Sequence, residues 1–314
     1  MLGGSGFVGR HLIGKLVKLG YLVKVPSRDR ERHRELLVLP TVSVNTADIH
    51  NTDELNEQLS GVDIVINLVG ILNQGGRNNS FKKAHVELTR NIVNACQKNG
   101  ITRLLHMSAL NAAAGKGASE YLKTKGEAED IVHQADGINV TSFRPSVIFG
   151  MDDSFFNRFA GLLKIIPSVF PLACPNSKFA PVYVGDVAEC FVQAIDNKET
   201  FKQRYELCGP DVYSLKQLVQ YTAKQIGVKK QVWGLGNGLS SMQATMMGLL
   251  PGKPFSRDNY KSLQVDSICD DEFPAVFKVE PSSVETVMSK YLAQKNLRGR
   301  FYGLRTYAKR AEER

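Results

Sequence analysis

The chain has 314 residues, 43% of them hydrophobic, and 40 Lys and Arg against 31 Asp and Glu give a formal net charge of +9. That is enough for a sizeable core, expected as two unequal lobes, and no run of 18 apolar residues offers a membrane-crossing helix. The five cysteines, Cys96, Cys174, Cys190, Cys208 and Cys269, are scattered and odd in number, which predicts reduced thiols in a cytoplasmic compartment; no spacing fits a metal site and no metal is assigned.

The chain opens on MLGGSGFVGRHL, where Gly3, Gly4, Gly6 and Gly9 stand before a run with Val8, Leu12, Ile13 and Leu16 at helical spacing. This reads as a strand–turn–helix fingerprint for a dinucleotide. Gly3 or Gly4 turns the chain, Gly6 admits a pyrophosphate, and Gly9 lets the helix pack closely. The helix amides then face the phosphates. Only Met1 and Leu2 remain of the strand before the turn, so the native chain is expected to begin several residues earlier. No secretory signal is expected, because the first residues already belong to the fold.

Further on, Tyr21–Val25 and Val42–Val44 are predicted strands, and a helix starts at Thr52 with its hydroxyl as N-cap. Val62–Val69 is near-continuously apolar, as in a strand buried on both faces. Phe81–Asn99 is a predicted helix, Ile101–Ser108 a strand, Ser119–Gln134 a helix and Ile138–Phe143 a strand. This alternation predicts an α/β fold, a doubly wound parallel sheet of the Rossmann type. Residues 1–150 form the expected cofactor domain, with 179–208 returning to it. Phe179–Val184 and Tyr205–Cys208 are its further strands, and residues 151–314 make a smaller, partly helical lobe.

Where the second strand ends, the sequence reads Val25-Pro26-Ser27-Arg28-Asp29. An acid that would bond an NAD ribose is missing there. Arg28 and Ser27 suit a 2′-phosphate, which favours NADP(H) over NAD(H). A solvated charged loop is the other reading, since Asp29, Glu31 and Glu35 interleave with the arginines.

Tyr121 and Lys125 stand four apart and share a helix face. A neighbouring ammonium is expected to lower the phenol's pKa toward working pH, making an acid/base pair. Tyr291 and Lys295 repeat the spacing and are read as a decoy.

GGSGFVG, Asp48-Ile49, Tyr121-x-x-x-Lys125, Arg144-Pro145-Ser146-Val147-Ile148-Phe149-Gly150 and Pro181-Val182-Tyr183-Val184-Gly185-Asp186 together resemble the extended and atypical short-chain dehydrogenase/reductase family, over roughly residues 1–220. His106-Met107-Ser108-Ala109-Leu110-Asn111-Ala112 and Leu250-Pro251-Gly252-Lys253-Pro254 look most like one branch of it. That branch contains the NADPH-binding accessory subunit of respiratory complex I and its bacterial relatives.

The resemblance implies an NAD(P)-dependent oxidoreductase or epimerase acting on a small organic substrate that the sequence does not name. Gly3, Gly4, Ser5, Gly6, Phe7, Val8 and Gly9 would line the pyrophosphate, and Ser27 and Arg28 the 2′-phosphate. Asp48 and Ile49 would flank the adenine, Val69 and Gly70 the ribose, and Pro145 and Val147 the nicotinamide. Lys125 would also hold the nicotinamide ribose. Tyr121, Lys125 and Ser108 would be catalytic, although a one-residue shift puts Ala109 in the serine's place.

Three functions follow as expectations: an active NADP(H)-dependent enzyme, a non-catalytic NADPH-binding subunit of a complex I-type assembly, and a redox-sensing binder. Residues 295–314 carry seven Lys or Arg and two Glu. A frayed terminus is one reading of this tail; docking on a respiratory complex, or on the inner face of an anionic membrane, is the other. Without a nucleic-acid module, no nucleic acid is expected.

Overall fold

The computed structural model describes residues 1–75, 80–166, 168–250 and 255–291. In chain order come α1 (Phe7–Lys18), β1 (Val23–Ser27), α2 (Arg34–Leu37), β2 (Val42–Thr46), α3 (Thr52–Leu59) and β3 (Ile64–Asn67). A π-helical turn, Lys82–Glu87, leads into α4 (Leu88–Lys98), and β4 (Arg103–Met107), α5 (Glu120–Gln134) and β5 (Asn139–Pro145) follow. Then come β6 (Ile148–Phe149), α6 (Phe156–Ile165), β7 (Val169–Leu172), β8 (Lys178–Phe179), β9 (Val182–Tyr183), α7 (Val184–Ala194) and β10 (Gln203–Leu207). The last are β11 (Tyr213–Ser214), α8 (Leu215–Gln225), β12 (Gln231–Gly234), α9 (Asn237–Gly248), α10 (Arg257–Ser262) and α11 (Val284–Tyr291).

Strands pair in parallel in the order β10-β5-β4-β3, and β1 pairs in parallel with β2. Leu2 joins the two sets. Its amide donates to the Ile66 carbonyl (2.8 Å), its carbonyl accepts from Leu68 N (3.0 Å), and the Met1 amino group donates to the Lys24 carbonyl (2.6 Å). The central sheet therefore runs β2-β1-Leu2-β3-β4-β5-β10, and the direction of winding reverses at Leu2. A ligand crevice belongs outside the carboxyl ends at that reversal.

Apolar periodicity explains the layers. Leu12, Ile13 and Leu16 of α1 join Val187 and Phe191 of α7 on one face, with Val25, Phe143 and Leu207 from the sheet. On the other face Leu55, Leu88, Ile92 and Val132 from α3, α4 and α5 pack on Val65, Leu104 and Val140. A separate core gathers Phe149, Phe156, Leu163, Phe170, Leu218 and Met288 in the later part of the chain.

Buried charges tie these layers together. Arg103 donates to the carbonyls of Ala194 and Ile195 (3.0 Å to Ile195), closing the end of α7 as a helix dipole favours. Glu129 on α5 accepts from Arg144 of β5 (2.6–3.1 Å) and Arg204 of β10 (2.5 Å).

Three local expectations are corrected. Thr52 is the first helical residue, and the cap is Asn51, whose Oδ1 accepts from the amides of Asp53 (2.9 Å) and Glu54 (3.3 Å). The expected Phe179–Val184 strand divides into β8, paired with β11, and β9, paired with β6; α7 already starts at Val184. Cys208 and Cys269 form a disulfide, whereas Cys96, Cys174 and Cys190 are free and buried. The pair meets because Ser267 is pinned near the end of β10: its carbonyl accepts from Ala180 N (3.0 Å) and Ser146 Oγ (2.7 Å). This disulfide contradicts the expectation of five reduced thiols. Among the described residues no helix is long and apolar enough to cross a membrane.

Candidate functional site

The glycine turn leaves the sheet at its winding reversal. Gly3 has φ +73°, and a Cβ there would stand 3.0–3.2 Å from backbone atoms of Leu68 and Val69. A Cβ on Gly9 would fall 2.2 Å from the Gly4 carbonyl oxygen, so α1 packs on the turn only with glycine at that position. Helix α1 begins after Gly6 with no side-chain cap and no acid in its first turn. The amides of Phe7, Val8 and Gly9 thus meet no intrahelical acceptor, an arrangement suited to an anion. Gly6 N instead closes the turn onto Gly3 O (3.0 Å), and Arg10 braces Ser5 O (3.0 Å). Gly4 is buried against Val25.

At the end of β1, Ser27 Oγ forms a small turn with Asp29 (3.2 and 3.3 Å), and Arg28 is exposed. Asp48 is exposed beyond β2; its Oδ1 accepts from His50 N (3.0 Å), and its own amide donates to Glu54 (2.7 Å). Ile49 is half-buried against the α3–α4 core. The His50 imidazole is held below its ordinary pKa by burial first; nearby Asp48 opposes this, while Lys83 and Arg28 add to it. Arg28, His50 and Lys83 thus share one electrostatic neighbourhood, of which sequence reasoning found only Arg28.

Past β3, Val69 N donates to Asn67 Oδ1 (3.1 Å) and Ile71 N donates to His85 Nε2 (3.2 Å). Burial, with the Lys125 ammonium second, pushes the His85 pKa down to about 3. The imidazole is therefore neutral, and with Nε2 accepting, its proton lies on Nδ1. That nitrogen donates to Thr124 Oγ1 (2.9 Å), and the hydroxyl donates on to Glu120 O (2.8 Å). His85 thereby ties the Gly70 loop to α5. The π-helical turn bears this buried histidine, and such turns are common at functional sites.

Tyr121 and Lys125 both project from α5 toward this loop. A Cβ on Gly70 would lie 3.6 Å from Lys125 Nζ and 3.8 Å from His85 Nε2, so a glycine keeps open the space in front of both. Tyr121 packs edge-on against His85 (5.6 Å) and Phe81 (5.9 Å). Lys125 is 3% exposed and donates to the Met107 carbonyl (2.6 Å). Burial lowers its pKa to about 8, against the pull of Glu129. The phenol behaves contrary to expectation: burial pushes the Tyr121 pKa up to about 12. Desolvation is the cause, and the Lys125 ammonium is engaged with the Met107 carbonyl.

Ser108 and Ala109 divide between two sides. Ala109 packs with Ala112, Leu122 and Tyr121. Ser108 is buried, and its hydroxyl approaches the Glu129 carboxylate, helping to hold that carboxyl down without completing a hydrogen bond. The structure thus gathers Tyr121, Lys125, His85 and Ala109, and sets Ser108 apart. Pro145 is buried where β5 ends, its carbonyl accepting from Leu110 N (3.0 Å); Val147 is half-buried, bonded to Val182 N (3.0 Å).

Two contacts from α10 reach the site. Asp258 accepts from Glu120 N (2.8 Å) and Tyr121 N (3.2 Å), capping α5, and Ser262 donates to Ser119 Oγ (2.7 Å). A cavity of about 520 Å³ opens there, lined among others by Phe81, Thr245, Leu249, Ser256, Arg257 and Asp258. Nothing in the sequence marked His85 or Asp258, because their partners are 14 or more residues away. Lys295 and the basic stretch 295–314 lie outside the described residues, as do Pro251–Pro254.

The fold and the chain both have relatives. An Escherichia coli NADPH-dependent quinone oxidoreductase, solved with NADPH, superposes with a TM-score of 0.72 at 18% identity, covering 94% of this chain and 96% of that one. A Staphylococcus aureus nucleoside-diphosphate-sugar epimerase gives 0.70 at 18% identity, covering 93% and 98%. In sequence, the chain is 28% identical over 229 residues to the mitochondrial NADH-ubiquinone oxidoreductase 40 kDa subunit of Neurospora crassa, covering 72% of this chain and 59% of that protein. It is 27% identical over 294 residues to the mouse NADH dehydrogenase [ubiquinone] 1 alpha subcomplex subunit 9, covering 91% and 77%. Residues 1–224 match a family profile, and with the glycine turn, the parallel sheet and the Tyr121–Lys125 helix in place, the chain belongs to the 3-beta hydroxysteroid dehydrogenase/isomerase family.

Proposed function

We propose that this chain binds NADP(H) in the crevice between the α1 turn and the Gly70 loop, and reduces a small carbonyl compound there. The observation that carries this reading is the convergence of Lys125, His85 and Tyr121 on the space kept open by Gly70. The uncapped, acid-free start of α1 fits a pyrophosphate, and Gly3, Ser5, Gly6, Phe7, Val8 and Gly9 would hold it. Ser27 and Arg28 would hold the 2′-phosphate, with Lys83 and His50 beside them. Asp48 and Ile49 would border the adenine, Val69 and Gly70 the ribose, and Pro145 and Val147 the nicotinamide. A bound nicotinamide supplies or accepts the hydride.

Tyr121 remains a protonated phenol at neutral pH, so it acts as a donor to a developing alkoxide. This favours the reductive direction. Lys125 orients the ribose and steadies the phenolate left behind, which recovers its proton from solvent. Residues 1–150 and 179–208 form the cofactor part of this reading, and residues 151–178 and 209 onward the covering part, with the cavity beside Phe81 receiving the substrate.

Ala109 against Tyr121 favours a second reading. Without a hydroxyl beside the phenol, a substrate oxygen has one donor fewer. In that reading the chain is a non-catalytic NADPH-binding subunit docked on a respiratory assembly, in line with its similarity to subunits of NADH-ubiquinone oxidoreductase.

One experiment separates the two. The purified protein is loaded with NADPH, and oxidation at 340 nm is followed with a panel of ketones and quinones, using wild type and Tyr121→Phe. The first reading predicts turnover that falls at least about 10²-fold in the variant, with nucleotide binding unchanged. NADPH binding with equal, background oxidation in both proteins across the panel supports the second.

A further inference from the structure

Helix α9 has two unlike faces. Ser240 and Ala244 are fully buried. Leu239, Met242, Met246 and Leu249 recur at helical spacing on the other side, and Met246 is 63% and Leu249 85% exposed. Trp233, 62% exposed, lies on the same flank: it pairs with Pro171 across β7 and β12, and Pro171 accepts from Gln243 Nε2 of α9 (3.2 Å). Ile165, 80% exposed, adjoins this flank, because the next carbonyl, Ile166 O, accepts from Lys230 Nζ (2.8 Å).

Cations stand at this face: Lys230 at Ile166 O, and Arg257, whose Nε donates to Thr245 Oγ1 of α9 (2.9 Å), with Asp258 next to it on the cavity wall. From Val212 to Arg257 the sequence contains no Asp or Glu and six cations: Lys216, Lys224, Lys229, Lys230, Lys253 and Arg257. An apolar stripe with an exposed tryptophan and cations around it suits the boundary between lipid headgroups and acyl chains. Attraction to an anionic surface adds to the apolar burial. A second copy of this chain would bring Lys230 and Arg257 against like charges, which opposes self-association.

We propose that the α9 face, from Trp233 to Leu250, docks on an anionic lipid bilayer. Leu249 belongs both to this face and to the wall of the cavity beside Phe81, whose ring touches Tyr121 at 5.9 Å. The mouth of that cavity therefore faces the bilayer. The attachment is independent of the basic stretch 295–314.

Trp233 is the chain's single tryptophan and reports on this face directly. The full chain is mixed with phosphatidylcholine vesicles with and without phosphatidylglycerol, some carrying brominated acyl chains. The expected result is sedimentation with the anionic vesicles, a blue shift of Trp233 emission and quenching by bromine. The double variant Met242→Glu, Met246→Glu changes only exposed side chains. It should bind at least about tenfold more weakly, with an unchanged far-ultraviolet dichroism spectrum and melting temperature. Four results overturn the proposal: sedimentation without a Trp233 response, which assigns attachment to another surface; equal binding to neutral vesicles; no binding to either kind, as for a face that meets a protein; and a Trp233 shift that follows protein concentration without lipid, as for a dimer face.

Discussion

Lys125 is where the site and the fold compete. Its ammonium is buried, and lowering its pKa from 10.5 to about 8 opposes folding by about 3 kcal/mol at neutral pH. The sign follows from the depressed folded value. The cost is complete below pH 8, and it disappears as pH rises toward the unfolded value. Lys125→Met should therefore stabilise the nucleotide-free protein at pH 7 by about 1 kcal/mol or more, after allowance for the lost bond to Met107 O. It should also weaken NADPH binding. Thermal melts and a nucleotide titration check this, and a lower melting temperature with unchanged affinity contradicts it. Such a trade is expected of a side chain kept for function. Tyr121 illustrates a related limit of sequence. The i, i+4 spacing put both residues on one face, but the packing of Tyr121 depended on Phe81 and His85, which no spacing rule connects to it.

At the scale of elements, α5 is held from three sides. Glu129 anchors it to β5 and β10 through two arginines, His85 to the Gly70 loop, and Asp258 to α10. Burial alone would raise the Glu129 carboxyl, but Arg144, Ser108 and Arg204 bring it below its ordinary value. That contribution to stability is present above the unfolded pKa and is lost as pH falls through the folded one. Glu129→Gln should cost about 2–4 kcal/mol at pH 7, less than a fully buried pair because the arginines are 27% and 36% exposed. The variant should also flatten the dependence of the urea midpoint on acid pH. An unchanged midpoint at pH 7 contradicts the clamp. The Cys208–Cys269 link closes a loop of 61 residues and is worth up to about 4 kcal/mol by chain entropy. Reducing it with dithiothreitol should lower the melting temperature measurably, and an unaffected melt contradicts its role. Sequence could not show this pair, because what aligns the two cysteines is the pinning of Ser267 by Ser146 and Ala180.

Across the whole molecule, alternating apolar runs made the parallel sheet legible, because each strand buried on both faces leaves a continuous signature. The glycine turn was legible too, since Gly3 and Gly9 answer backbone demands that few residues meet. The later part of the chain was harder to read. Its strands are short, and α9 shows a mixed face because its apolar stripe points outward. That Arg28 and Lys83 both act electrostatically on the His50 imidazole was hidden for another reason: separate stretches of the chain carry the three residues. These residues bear on the central claim, that the crevice is built for NADP(H), and the most direct measurement is a calorimetric titration of NADPH and NADH into wild type and Arg28→Ala. A charge-assisted bond to the 2′-phosphate contributes about 1.5–3 kcal/mol, so NADPH should bind wild type about 10- to 150-fold more tightly than NADH, with most of that preference lost in the variant. Equal affinities in wild type, a preference that survives Arg28→Ala, or no heat with either nucleotide contradicts the account.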